Sequence, residues 1–304
     1  METVVVAVDV GGTSIKGGLV GPHGSVVHSA RWPTLTAEGP VAVLETIVGA
    51  CEALVRTARW LGLTPVACGV VVPAVIDEPA GVLIFSANLG LREVPLRDEV
   101  ARRTGLPTTL GHDVRAGAVA EARLGAGRGT GRMLFVGLGT GIASAFVTDG
   151  RVDPGAHGGS GELGHIPVRT GPQALPCTCG GQGCLERYAS AAAIARAYGD
   201  PAVDAAEVVR RARDGDERAA RVWQEAIEAL AAGLLVAIAL YDPSLVVLGG
   251  GLAGAGALLV EPLEKELVKR RTFHQLPDLA LAELGDQAGC HGAAQLALDT
   301  LDAR

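Results

Sequence analysis

The chain has 304 residues, 48% of them hydrophobic, with 43 glycines, 3% aromatics and a formal net charge of −7. That length supports two lobes with cores of their own, while the acidic balance and scarce aromatics exclude the basic footprint and stacking platforms of a nucleic-acid binder. No charged segment and apolar run resembling a signal peptide stand at the N-terminus, and the longest uncharged stretches, 229–241 and 244–260, fall short of the roughly 20 apolar residues of a membrane helix, so a soluble, reducing, cytoplasmic setting is expected.

In chain order, the valine-rich run Thr3 to Val10 reads as a buried strand. It runs into Asp9-Val10-Gly11-Gly12-Thr13-Ser14-Ile15-Lys16, after which Gly17 to Val20 reads as a second strand. A strand, a glycine-rich turn and a strand form a hairpin whose backbone amides can point at a phosphate. Asp9, at the strand end, could hold Mg2+ directly or through water. The plainer reading is an ordinary hairpin turn; a Walker A loop is excluded, because it needs G-x-x-x-x-G-K-[ST] followed by a helix. Pro40 to Gly62 has helical spacing, with Val43, Leu44, Ile47, Cys51, Leu54 and Val55 on one face. A strand over Ala67 to Val72 enters Pro73-Ala74, and Asn88 lies in a loop. Leu96 to Thr104 reads as a short helix and Pro107 to Leu110 as a strand. Asp113 follows His112 at a strand-to-helix junction, where an aspartate can serve simply as a helix cap.

Met133 to Gly137 is the next strand, followed by Leu138-Gly139-Thr140-Gly141 and a strand from Ile142 to Val147. This repeats the pattern of residues 4–20 and suggests a duplicated, two-lobed architecture. Gly161-Glu162-Leu163-Gly164-His165 and Cys177-Thr178-Cys179-Gly180-Gly181-Gln182-Gly183-Cys184-Leu185-Glu186 then place one histidine, three cysteines and two glutamates close together. Three soft sulfur ligands and one imidazole match a closed, tetrahedral structural zinc site. Helices follow over Ala189 to Tyr198, Ala205 to Arg213 and Glu217 to Leu240, the last ended by Asp242-Pro243. A strand over Leu245 to Leu248 enters Gly249-Gly250-Gly251, and Gly289 to Leu301 reads as a final helix.

The motif G-E-x-G-H, eleven residues, then C-x-C-G-x-x-G-C-x-E resembles the zinc motif of the ROK family of bacterial sugar kinases, sugar-responsive repressors and uncharacterised members. The likeness extends from Asp9 to the segment near Cys290. It implies an α/β, two-lobed actin/hexokinase-like ATPase fold, built from duplicated ribonuclease H-like domains, with a zinc-binding loop. The lobes expected are 1–115 joined by the C-terminal helix 290–304, and 116–289. The resemblance makes His165, Cys177, Cys179 and Cys184 the zinc ligands, and Asn88, His112, Asp113, Glu162, His165 and Glu186 the sugar contacts. Asp113 becomes the general base. Asp9, Gly11, Gly12, Thr13 and Lys16, with Gly139, Thr140 and Gly141, would hold ATP phosphates and Mg2+, and Gly249, Gly250 and Gly251 would pack on the adenosine.

The implied activity is ATP-dependent phosphorylation of a hexose at its primary hydroxyl, glucose first, by a homodimer or homotetramer. N-acetylmannosamine, fructose or allose, or sugar binding without catalysis, are the alternatives. Three positions depart from the family pattern: His112 stands for the usual asparagine, Ala74 for glycine, and Ala143 for another glycine. Gly249-x-Gly251-x-x-Gly254 also matches the dinucleotide fingerprint, but the remaining 50 residues leave no room for the further βαβ repeats of an NAD enzyme. A repressor would need a helix-turn-helix domain ahead of the first strand, which already begins by Thr3.

Overall fold

The structure is a computed structural model that describes residues 2–302. The chain divides into two compact units. The first runs to Leu124 and also takes in Pro154–Ser160 and the described chain from Asp286 on; the second comprises Gly125–Asp153 and Gly161–Gly285. The sequence reading placed a boundary after residue 115.

Unit 1 is built on β1 (Thr3–Val10), β2 (Ser14–Val20) and β3 (Val26–Pro33), an antiparallel meander, then α1 (Pro40–Trp60) and β4 (Thr64–Val72). A small antiparallel sheet of β5 (Val75–Asp77), β6 (Val82–Ser86) and β7 (Leu91–Val94) follows, then α2 (Leu96–Thr104), β8 (Thr108–His112) and α3 (Asp113–Leu124). The main sheet has the order β3-β2-β1-β4-β8, with β1, β4 and β8 parallel. β1 is covered on both faces, which is why it reads as unbroken valine rather than as an alternation. Val4, Val6, Val8 and Val10 join α1 in one core, and Val5 and Ala7 join a second.

Unit 2 repeats that topology. β9 (Arg132–Leu138), β10 (Ile142–Thr148) and β11 (Arg151–Val152) form an antiparallel meander. α4 (Glu186–Ala189), α5 (Ala191–Tyr198), α6 (Ala205–Arg213) and α7 (Glu217–Tyr241) precede β12 (Leu245–Gly249), and α8 (Ala257–Arg270) precedes β13 (Asp278–Leu281). The sheet order is β11-β10-β9-β12-β13, with β9, β12 and β13 parallel. The expected helix over Ala189 to Tyr198 is interrupted: Ser190 takes an extended conformation and its hydroxyl accepts the Ala193 N–H at 3.2 Å, capping α5. α7 is long and apolar enough to cross a membrane by length and composition alone, because it continues N-terminal of the uncharged run. Trp223, Ile227, Leu230, Leu234 and Ile238 bury one face of it in the core of unit 2.

The last helix, α9 (Ala288–Asp302), returns to unit 1, where Ala293, Ala294 and Ala297 cover Val5, Ala7 and Val71. The final two residues of the expected 290–304 segment lie outside the described residues.

Candidate functional site

Unit 1 gathers the expected phosphate turn, Asn88, His112 and Asp113 at the C-terminal ends of parallel strands. β1 ends in Asp9 and Val10, and the turn closes through Gly11 N–H to Ser14 O at 3.0 Å. Thr34 is fully buried behind the turn, and its hydroxyl donates to the Gly11 carbonyl at 2.6 Å. This brace links residues 23 apart in sequence and has no local signal. A Cβ on Gly12 would lie 3.9 Å from that of Asn88, so the turn and the Asn88 loop are neighbours.

Asp9 pairs across the hairpin with Lys16, whose ammonium is 3.9 Å from the Asp9 carboxylate. Burial pushes the Asp9 carboxyl up to about 6, with Asp113 adding to the effect, Lys16 opposing it and Asp286 adding slightly. Lys16 also pairs with Asp286, which Arg31 holds from its other oxygen at 2.6 Å. The Asp9 carboxylate is walled in by α9: a Cβ on Gly289 would stand 2.4 Å from its carbon. A largely buried carboxylate next to a second one is the electrostatic setting that a divalent cation relieves. Neither Gly289 nor Asp286 was identified from sequence, since both lie more than 270 positions from the turn they serve.

Asp113 is the first residue of α3, directly after His112 at the end of β8. Its Oδ1 accepts the Val114 N–H at 2.8 Å and lies 3.2 Å from His112 Nδ1. Three-tenths of the Asp113 side-chain surface is still open. The surrounding protein is dense enough that desolvation nevertheless raises its pKa, opposed by the Val114 N–H and the charge of Arg115. Arg115, also missed in the sequence, is 7% exposed and forms an ion pair with Glu78 at 2.7 Å.

Two predictions follow from these contacts. In Gly289→Ala, the added methyl group must displace the Asp9 carboxylate or α9. A displacement near 1 Å is worth about a hundredfold in turnover at a site that relies on positioning. Activity with Mg2+ and ATP should fall by about that much in a variant that still unfolds cooperatively; unchanged kinetics would remove Asp9 from the site. The second concerns pH. The folded chain binds the Asp9 proton more tightly than the unfolded chain, whose ordinary value is 3.8. That contribution to stability is fully present below the unfolded pKa and is lost as pH rises through about 6. The difference corresponds to about 3 kcal/mol. Denaturant melts of metal-free protein should therefore show wild type losing stability relative to Asp9→Asn between pH 4 and 7. Parallel pH profiles would exclude the effect.

Unit 2 holds the other predicted residues. Its glycine turn closes with Gly139 N–H to Gly141 O at 3.0 Å. Glu186 reaches this turn: its Oε2 accepts the Ile142 N–H at 3.0 Å, and a Cβ on Gly141 would stand 2.4 Å from that oxygen. Gly249 aligns with Gly137 across β12 and β9, and Gly250 packs against the Leu138 backbone, so the two glycine turns of unit 2 adjoin. Gly161 lies against β10, its carbonyl accepting the Ser144 N–H at 2.7 Å, which fixes the chain just before Glu162.

His165, Cys177, Cys179 and Cys184 offer donor atoms that all lie within 4.8 Å of one another. A tight turn from Cys177 to Gly181, closed by Cys177 N–H to Gly181 O at 2.8 Å, brings the first two thiols together. Cys177 Sγ is 3.6 Å from His165 Nδ1, and Cys179 Sγ is 3.6 Å from Cys184 Sγ. Ligands about 2.3 Å from a tetrahedral ion lie about 3.8 Å apart, so the cluster has the size for zinc. Burial resists ionisation of Cys177, but hydrogen bonds from the Cys179 amide and from the Cys179, His165 and Cys184 side chains bring it down to about 7. Burial and the two facing thiols push Cys184 up to about 12. The other imidazole nitrogen, Nε2, lies 3.9 Å from the Glu162 carboxylate, so His165 faces the thiols with one nitrogen and Glu162 with the other.

The chain matches the ROK family profile over residues 5–300. It is 32% identical to the glucokinase of Streptomyces coelicolor over 317 aligned positions, covering 97% of each chain. Its fold is similar to that of a ROK hexokinase from Thermus thermophilus, with a TM-score of 0.83 and 33% identity over 99% of this chain and all of the other. A ROK glucokinase from Streptomyces griseus, solved with glucose and AMPPNP, gives a TM-score of 0.82 and 31% identity over 97% of this chain and 99% of the other.

Proposed function

The chain belongs to the ROK family and is an ATP-dependent sugar kinase acting on a hexose, and we propose that the hexose is glucose, phosphorylated on its primary hydroxyl. The observation that carries the reading is the nearness, within unit 1, of Asp113 at the start of α3 to Asp9 at the end of β1, just before the glycine turn. One carboxylate is available as a base beside another suited to a cation.

Phosphoryl transfer needs positioning and charge neutralisation more than covalent chemistry. The Asp113 carboxylate takes the proton of the sugar's primary hydroxyl as that oxygen forms its bond to the γ-phosphorus, and the bond to the leaving ADP oxygen breaks. Burial of Asp113 makes it a stronger base than an exposed aspartate, and Arg115 keeps that effect in check. Amides of Gly12 and Thr13 and of Thr140 and Gly141 serve as donors to phosphate oxygens, the Gly11 and Gly139 amides being used to close their turns, and Gly249–Gly251 as the adenosine platform. Mg2+, when bound near Asp9, supplies neutralisation of the phosphate charge. Asn88, His112, Glu162, His165 and Glu186 are the proposed hydroxyl partners, a carboxylate accepting from two hydroxyls at once. Zn2+, when bound by His165, Cys177, Cys179 and Cys184, supplies a rigid brace that orients His165, leaving its Nε2 toward Glu162.

An ADP-release assay over a hexose panel tests the reading. Glucose should have the highest kcat/KM, and turnover with no sugar in the panel would overturn it. His112 tunes the choice, because an imidazole offers one donor and one acceptor in a fixed plane where an amide offers a different set. His112→Asn should change the ratio of kcat/KM between glucose and N-acetylmannosamine while leaving the larger kcat within a few-fold. An unchanged ratio would remove His112 from the sugar contacts.

A further inference from the structure

Arg115 is a charged side chain with little reason to be buried for stability. It sits on the first turn of α3, two residues after Asp113, and is 7% exposed. Its Nη2 donates to Glu78 Oε1 at 2.7 Å and its Nη1 to the Gly158 carbonyl at 2.9 Å. Its Nε is buried with no partner among the described residues. Leaving a buried guanidinium N–H unmet is costly, and even well-paired buried ions rarely add net stability. The arrangement is better explained by what it holds.

What it holds is the segment Pro154–Ser160, which groups with unit 1 although the chain on either side of it belongs to unit 2. The segment curls on itself, with Ser160 N–H to Pro154 O at 3.2 Å and Gly158 N–H to Gly155 O at 3.4 Å. On one side it is separated from Asp77–Pro79 by a cavity of about 610 Å³ that both segments line. With open space there, the guanidinium fork spans from Glu78 to Gly158 and ties both to α3. A planar fork with two fixed arms does this; a single ammonium cannot reach both partners in the same way.

We propose that Arg115 is a positioning residue for the transfer reaction, its guanidinium clamping the strap Pro154–Ser160 onto the first turn of the helix that begins with Asp113. The inference rests on the kinase reading, since Asp113 is the proposed base and Glu162, two residues beyond the strap in the chain, a proposed sugar contact. The same charge acts on Asp113, countering the effect of burial. The other titratable and charged groups on the elements around Asp113 include His112 on β8, Glu121 and Arg123 on α3, Cys68 on β4, Asp9 on β1 with Lys16 on β2, Asp77 at the end of β5 with Glu78 just after it, and Cys290, His291 and Asp299 on α9.

The test uses the full-length chain and two variants that separate fork from charge. Arg115→Lys keeps the charge and loses the fork; Arg115→Met loses both. In both, amide exchange over residues 155–160 should speed up by about tenfold or more, and KM for the sugar should rise more than kcat falls. Only Arg115→Met should also move the acidic limb of the kcat/KM profile upward, because Asp113 then ionises with less help. Glu78→Gln covers the case in which Arg115→Met does not fold: the Glu78 side chain is more than a third exposed, and its loss should loosen the strap to a smaller degree. Wild-type exchange, KM and pH profile in a folded Arg115→Met, or unchanged strap exchange in Glu78→Gln where Arg115→Met does not fold, would overturn the proposal. A wild type inactive on every hexose would overturn the kinase reading instead, and the exchange measurements would still decide whether the clamp exists.

Discussion

Asp113→Asn should lower turnover by about two to four orders of magnitude while hexose and ATP binding stay nearly intact. The amide keeps the size of the carboxylate and can still accept the Val114 N–H that Asp113 accepts at 2.8 Å. It therefore preserves the helix start, since asparagine caps a helix about as well as aspartate. What it cannot do is accept a proton from a hydroxyl at neutral pH. The variant thus separates a cap from a base: a cap predicts almost no change in kcat, a base predicts the large loss. The raised pKa of Asp113 sets the direction of the pH dependence. Only the ionised form is a base, so kcat/KM should fall with acidification through a limb lying above the ordinary aspartate range, and that limb should be absent from the residual activity of Asp113→Asn. A variant within a few-fold of wild type would assign the base elsewhere.

Cys179→Ser should abolish stoichiometric metal binding and weaken hexose binding with it. Cys179 is the exposed member of the cluster, while Cys177 and Cys184 are buried, so exchanging its sulfur for oxygen removes a ligand with little loss of packing. A hydroxyl stays protonated where a thiol ionises, and it is a poor ligand for zinc. Losing one of four ligands should lower metal affinity by more than a hundredfold, beyond the roughly 10- to 100-fold cost of outer-shell changes. Because this metal would be structural, its loss should also lower the melting temperature. Elemental analysis of wild type purified under reducing conditions should find one zinc per chain. Its absence there would sink the assignment. Retention of zinc in Cys179→Ser would mean that Cys179 is not a ligand.

How much of this was legible beforehand follows the range of the interactions involved. The valine run of β1, the glycine turns at 11–12 and 139–141 and the helices over 40–60, 205–213 and 217–241 were readable because period, composition and turn chemistry are local. β3 was missed: it is an edge strand carrying His28, Ser29 and Arg31, with neither an apolar run nor a clean alternation. The small sheet of β5, β6 and β7 was missed because its strands are only three to five residues long. α8 was missed too, with Pro262 inside it.

The thiol and imidazole cluster lies within 20 residues of chain, so its spacing alone pointed to a candidate metal site, and the structure brings its donor atoms within 4.8 Å of one another. By itself, then, the sequence determined the two repeated glycine hairpins, the thiol and imidazole set of the candidate metal cluster and the presence of an aspartate at a strand-to-helix junction. Each depends on residues close together in the chain. Only the tertiary structure decided that Asp9 is enclosed by Gly289, that Lys16 is shared with Asp286, and that Arg115 bridges Glu78 and Gly158 beside Asp113. Those contacts join residues from 37 to 280 positions apart. Burial and through-space charge, which set the state of both carboxylates, exist only once the chain has closed around them.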